Sequence, residues 1–348
     1  MRAALLAAAL LSCVRPLWAD DYPFFKWRDR DDDAPRFLIL GYRHWFTSGG
    51  TTWRSSFPTQ PANISNGTTQ ELHTSPGMEI FSAEIRPTRR VYFGAEFGTT
   101  LAGNGQGTTH YWVDQRNGTA ISLATGHSFF DPDHEDFERY TESLNGRSTL
   151  FAANVYIHLL DGRISAFDDG YGHSLDVLFG YSRFQESYNE SDLNRVFSPG
   201  TGIPAQPLGP LPGLNSTYRA IWQGPVVGMR EEFTGPHDIF FSGHGMFSPI
   251  MIYDGDGFDN VGAENGVLAN TSPNFRHHAN GMSAQLDVAL GWQPFRSWKL
   301  EAGYSIYYFW SQLGVEDFTL PDGTHENDRL DYARTLRQGI FLGSSVQF

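Results

Sequence analysis

The sequence predicts an all-β chain, a ten-stranded antiparallel transmembrane β-barrel. Three observations predict it. Apolar and polar residues alternate strictly in segments long enough to cross a bilayer on a tilt. The connections between those segments are short and long by turns, as in a barrel with tight turns at one end and loops at the other. Beyond the first residues, no apolar run reaches the roughly 18 residues a membrane helix needs. Composition agrees, with 15% aromatic residues, 37 glycines and only 18% charged residues in 348.

The chain opens MRAALLAAALLSCVRPLWA. One arginine precedes the apolar run Ala3–Leu11, too short to anchor in a membrane, so residues 1–19 are expected to be a signal peptide cleaved after Ala19. The triplet before Cys13 gives the alternative, lipoprotein cleavage. Cys13 is the one cysteine, so a chain cut after Ala19 holds itself together without disulfides. Residues 20–36, DDYPFFKWRDRDDDAPR, read as a periplasmic tail, and residues 37–348 as the barrel.

Ten segments follow, starting near Phe37, Gly77, Arg89, Ser148, His173, Thr217, His237, Gly281, Trp298 and Ala333. The clearest is GMSAQLDVALGW: Met282, Ala284, Leu286, Val288, Leu290 and Trp292 share one face, and Ser283, Gln285, Asp287, Ala289 and Gly291 the other. After the turn QPFRS the pattern repeats, with Leu300, Ala302, Tyr304, Ile306, Tyr308 and Trp310 opposite Lys299, Glu301, Gly303, Ser305, Tyr307 and Phe309. The short connections are RPTRR, LDGRISAFDDGYGH, TGPH and QPFRS; the long ones cover roughly 49–76, 102–146, 187–216, 254–280 and 312–332. Trp292, Trp298 and Phe348 at one level, with Tyr307, Tyr308 and Trp310 at the other, read as interfacial belts.

A ten-stranded barrel has a narrow lumen that side chains fill. Glu96, Asn154, His158, Asp176, Gln285, Asp287, Lys299, Glu301 and Arg337 fall on the inward face, where opposite charges are expected to form ion-paired networks. The formal net charge is −14, and loss of Arg2 and Arg15 with the signal makes it more negative. That excludes nucleic acid as a partner. It suits a surface that meets cations, including divalent ions bound to anionic lipids. The expected location is the bacterial outer membrane, the expected partners its lipid and lipopolysaccharide, plus an extracellular ligand the sequence does not identify.

Ten strands, five long outer loops and a terminal aromatic resemble the omptin fold of outer-membrane proteases. The likeness is topological along the whole barrel and strongest locally from Ser174 to Tyr308, through LFGYSRFQESY, IWQGPVVGMREEF and FFSGHGMFSP. GYRHWFTSGGTTW resembles a wider set of outer-membrane proteins of that fold. The resemblance implies an Asp–His pair on the fourth outer loop that activates water, facing an aspartate pair on the second. The matching stretch on the fourth loop, YDGDGFDN, offers Asp254, Asp256 and Asp259 but no histidine; His244 lies lower on the strand, and His277 and His278 lie across the loop. On the second loop, GTTHYWVDQ places Thr109 and Tyr111 at the aspartate positions, while Trp112 and Asp114 fit them better. A general base must reach the water it activates, so the catalytic motif is not matched.

Other motifs are weaker. YDGDGFDN departs from the helix-loop-helix calcium pattern, with Asp259 and Asn265 where glycine and glutamate belong. A surface divalent-cation site on Asp254, Asp256 and Asp259 is the remaining cofactor reading; otherwise no cofactor is expected. FFDPDHEDFE, residues 129–138, reads as a solvated acidic loop. PGTGIPAQPLGPLPGL, residues 199–214, reads as an irregular arm that cannot pair as a strand. The expected role is a structural or surface-binding barrel without proteolytic activity. The alternatives are an endopeptidase with a displaced catalytic histidine, and a narrow pore.

Overall fold

The computed structural model describes residues 25–26, 37–59, 64–88, 90–100, 103–114, 134–164, 172–197, 207–264, 266–295 and 297–348. The expected signal peptide lies outside these residues, as does most of the expected tail. Within that tail Phe25–Lys26 pair with Arg163–Ile164.

Twelve long strands are present: β1 (Leu38–Thr59), β2 (Ile64–Thr74), β3 (Gly77–Ile85), β4 (Val91–Thr100), β5 (Gly103–Asp114), β6 (His134–Ile164), β7 (Gly172–Phe197), β8 (Ser216–Thr234), β9 (Ile239–Phe258), β10 (Phe275–Phe295), β11 (Trp298–Thr319) and β12 (His325–Gln347). They make ten staves. β2 and β3 form one, interrupted at Ser75-Pro76, because both pair with β1 and keep the same register across the break. Pro76 cannot donate to the ladder, but its carbonyl accepts from the Thr47 N–H at 3.2 Å and hydroxyl at 3.0 Å. β4 and β5 form another stave against β6. All neighbours are antiparallel, and β12 pairs with β1 from Gln347↔Ile39 to Arg329↔Ser56, which closes the ring. Closure leaves no lipid-exposed sheet edge, the condition for strands to cross a membrane.

The lipid-facing band is where alternation predicts it. Phe93, Phe97, Phe151, Phe179, Leu290, Trp292, Ile340 and Leu342 are exposed on the outer wall. Tyr308 and Trp310 face outward and stack at 5.2 Å. Tyr307 corrects the belt expectation: it faces inward, is buried, and packs on Trp45 at 4.8 Å.

The long connections are mostly strand, and this is the main correction to the sequence reading. β6 alone runs for 31 residues and β7 for 26. Above the membrane the apolar side chains change faces. Trp53, Tyr188, Tyr218, Tyr253 and Phe275 point in and join the core, while Arg54, Arg219, Asp254 and Arg276 point out. One extra residue in β9, β11 and β12 shifts the register there, so odd and even positions exchange faces along those strands. The proline-rich arm also departs from expectation: Gly209–Pro210 pair with Arg195–Asn194. Pro210 is tolerated because this is an edge. Residues 199–206 of the arm lie outside the described residues.

The lumen is bridged from wall to wall. Arg43 donates to Asp287 at 3.2 Å, Arg230 to Glu84 at 2.9 Å, and Lys299 to Glu232 at 2.7 Å. Arg337 donates to Glu186, and both are buried. Phe309 stacks between Phe184 and Trp222 at 5.2 and 5.7 Å. The expected ion-paired filling is present, and aromatics complete it.

Candidate functional site

The three acids of YDGDGFDN do not converge. Tyr253 faces inward, so strand alternation turns Asp254 and Asp256 outward. Asp256 pairs with Arg219 on that outer wall. Asp254 meets the Nδ1 of His278 at 2.7 Å, a contact set by the register of β9 on β10. A histidine therefore does reach an aspartate of this stretch, contrary to expectation, but both side chains are exposed on the outside of the barrel.

β9 ends at Phe258, which frees Asp259 from alternation. Its carboxylate turns over the mouth and accepts from the Tyr111 hydroxyl at 3.2 Å and the Gly262 N–H at 3.1 Å. Asp114 ends β5 with its backbone opposite His134; its side chain lies outside what is described. Of the acidic stretch 129–138, residues 129–133 lie outside the described residues and His134 begins β6.

The mouth instead gathers Asp259 with three acids that sequence reasoning missed. A cavity of about 50 Å³ is lined by Glu142 of β6, Glu190 of β7, Asp259 and Glu316 of β11, among apolar and hydroxyl groups. Each carboxyl is held by a partner of its own. Gln70 Nε2 donates to both Glu190 oxygens at 3.1 Å, and its own carbonyl accepts from Trp53 Nε1 at 2.9 Å. The Thr109 hydroxyl donates to Glu142 at 3.3 Å. Glu316 Oε1 meets His277 Nε2 at 2.9 Å, and His277 Nδ1 meets the Tyr218 hydroxyl at 3.1 Å. With the ring proton on Nε2 facing Glu316, Nδ1 accepts from Tyr218. Glu316 Oε2 is buried without a hydrogen-bond partner among the described residues.

Among the described residues, lysine, arginine and histidine are all absent from the cavity lining. Desolvation and mutual repulsion consequently favour the neutral form of Glu142, Glu190 and Asp259. Burial, then the neighbouring Glu142 and Asp259, push Glu190 well above the usual carboxylate range. Burial raises Glu142 to about 7, with Asp259 adding to it. Asp259 is raised by burial. Burial and the adjacent Asp259 push the Tyr111 phenol well up. The arrangement can hold protons or accept a cationic head group. For a metal ion it is poorly built: among the described residues, no group of three or more His, Cys, Asp or Glu is placed to hold one.

The fold is similar to that of a solved outer-membrane barrel. The chain superposes on the outer membrane protease OmpT from Escherichia coli with a TM-score of 0.68 at 13% identity, covering 90% of this chain and 98% of that one. The translocator domain of the autotransporter NalP from Neisseria meningitidis matches with a TM-score of 0.32 at 10% identity, over 91% of this chain and 90% of that one. No family model matches the chain, and neither does the sequence of any curated protein. The omptin likeness expected from the segment order is therefore a likeness of fold. With the apolar outer band, it makes this chain a bacterial outer-membrane β-barrel.

The missed acids did carry a signal. Glu142 lies between Tyr140 and Leu144 at two-residue spacing, and Glu190 two residues after Tyr188. A carboxylate in phase with buried aromatics is an inward carboxylate, once the apolar face is known to be the inner one.

Proposed function

We propose that this protein is a closed, non-conducting barrel whose outer mouth binds a small cationic group from outside the cell. The observation that carries the reading is the half-satisfied Glu316, 1% exposed, in a cavity lined by three further carboxyls and, among the described residues, no basic one. A buried polar group left unpaired costs about 1–3 kcal/mol, more when charged. An incoming N–H donor relieves that cost. On a measure where one water takes about 10–15 Å³, a cavity of about 50 Å³ suits one ammonium or guanidinium head group.

The test is calorimetric titration of the refolded protein with n-butylguanidine and with its uncharged isostere n-butylurea. Binding of the cation alone, weakened in Glu316→Gln, supports the reading. Equal binding of both, or of neither, refutes it. The bridged lumen supports the non-conducting half, and planar-bilayer recordings that showed stable single-channel steps would overturn that half.

A second reading, favoured by the His277–Glu316 pair behind the cavity wall, is a surface hydrolase of the endopeptidase type. Incubating the refolded protein with a diverse peptide set and lipopolysaccharide tests it, beside Asp256→Ala and Glu316→Gln. Cleavage by the wild type that Glu316→Gln abolishes and Asp256→Ala spares would establish it at this pair; no cleavage by any of the three ends it.

A further inference from the structure

The mouth is covered by the segment that carries Asp259, which runs straight into the five-residue helix Asn260–Glu264. Few contacts hold this cover. Val261 packs against Tyr140 and Leu193, with Tyr111, Leu211 and Leu214 alongside. Val267 and Leu268 N–H groups donate to the Gly262 carbonyl at 2.9 and 3.1 Å. The anchor is Asn274: its side chain accepts from the Asp259 N–H at 2.8 Å and donates to the Ala269 carbonyl at 3.1 Å. Its backbone pairs with Gly257 and Thr319. The cover is thus fixed at its base and held at its tip by one small apolar contact, one hydrogen bond from the Asn260 N–H to the Ser216 hydroxyl at 3.1 Å, and the Asp259 carboxyl.

What the Asp259 carboxyl faces decides whether that tip stays down. From β5 it meets Tyr111. From β6 it is opposed by Glu142 and Tyr140, the latter donating to Glu138. From β7 come Glu190 and Arg195, whose guanidinium is turned to the Tyr140 hydroxyl at 3.1 Å and the Pro207 carbonyl at 3.4 Å. From β11 comes Glu316, backed by His277 of β10. Asp328 of β12 lies beyond Glu316 and is raised to about 6 by burial and then by Glu316 and Glu326. Three carboxyls thus confront Asp259 across the cavity; the nearby guanidinium of Arg195 is engaged by Tyr140 and Pro207, and His277 by Glu316 and Tyr218.

We propose that Asp259–Glu264 is a proton-latched lid: protonated mouth carboxyls let it lie shut, and their ionisation lifts it. Shut, Asp259, Glu142 and Glu190 are neutral, and Asp259 hydrogen-bonds Tyr111 without confronting charge on either glutamate. Ionised, the three set like charges against one another in a small desolvated space, and the one acid on a movable segment relieves the repulsion by swinging into water. Gln70, Thr109 and Trp53 hold Glu190 and Glu142 rigidly on the barrel wall, so the lid is the part that moves. Each proton released on opening raises the opening constant by up to about tenfold per pH unit across the range where the closed state still holds it.

The experiment is amide hydrogen exchange on the full-length refolded protein in micelles, from about pH 5 to about pH 8.5, with rates corrected for the intrinsic pH dependence. It uses no guest, so it reads the lid whether or not the mouth binds a cation. The Gly262, Val267 and Leu268 amides are expected to lose about tenfold or more in protection across that range, while the β8–β9 ladder stays unchanged. Glu142→Gln and Glu190→Gln, singly and together, should keep the lid protected to the high-pH end. Lid protection that is independent of pH in the wild type overturns the latch. So does an undiminished fall in the doubly substituted protein. Should the double variant not fold, Asp259→Asn serves alone: the latch requires that its lid amides stay protected at high pH.

Discussion

Replacing Arg337 by methionine should destabilise the barrel by about 3–5 kcal/mol, the cost of leaving a buried charge without its partner. Arg337 is 1% exposed and Glu186 0%. The guanidinium donates to Glu186, to the Thr74 carbonyl at 2.7 Å, to the Thr74 hydroxyl at 2.8 Å and to Tyr188 at 3.3 Å. It thereby ties β12 to β2 and β7 across the lumen. Methionine fills much of the space but supplies no donor. Glu186 then keeps only Thr51, at 2.6 Å, and Tyr188. Glu186→Leu strands the arginine in the same way and should cost a similar amount. The double replacement removes both charges, and should cost less than either single change because an apolar pair of similar volume needs no compensation. Urea unfolding in phospholipid vesicles, followed by tryptophan fluorescence, measures all three. The reasoning fails if Arg337→Met lies within about 1 kcal/mol of wild type, or if the double variant costs as much as the two singles added.

Three further outcomes follow from the same geometry. Stability should fall as pH rises from about 4.3, the ordinary glutamate value, to about 7, because Glu142 is raised to about 7. Below the lower limit folded and unfolded chains both hold the proton; between the limits the folded chain alone holds it, and above the upper the loss is complete. Glu142→Gln should flatten the slope, and an unchanged slope in pH-dependent urea titrations would count against the assignment. Trp222→Ala should cost about 3–5 kcal/mol, since Trp222 is fully buried against Tyr253 and Phe309 and donates to Thr335 at 2.9 Å; unfolding midpoints check it. His278→Ala, in contrast, removes an exposed outer-wall pair and should change stability by less than about 1 kcal/mol, with cation titration at the mouth unchanged; lost binding would move the site to the outer wall.

Much of the barrel is legible in the linear pattern because bilayer and lumen are opposite solvents. In β10 the outward Met282, Leu286 and Val288 must be apolar, and the inward Gln285 and Asp287 are polar where they meet partners. Alternation therefore reports the strand, its faces and its span together. Above the bilayer that contrast reverses. Water bathes the outer wall and the interior is packed, so Tyr253 faces in and Asp254 out. A search for alternating apolar residues on the lipid side finds too few there and reads loop. The bulges in β9, β11 and β12 break the count as well.

The mouth was hidden for a different reason. Glu142, Glu190, Asp259 and Glu316 come from four separate staves, and the Asp254–His278 contact depends on how β9 registers on β10. By itself the sequence determined the number of staves, their lipid-facing sides and the charged filling of the lumen, because each follows from local alternation against two solvents. Only the closed ring decided which acids meet, which face away, and which histidine pairs with which carboxylate. Those contacts are set by register and curvature between segments far apart in the chain, and no local spacing records them.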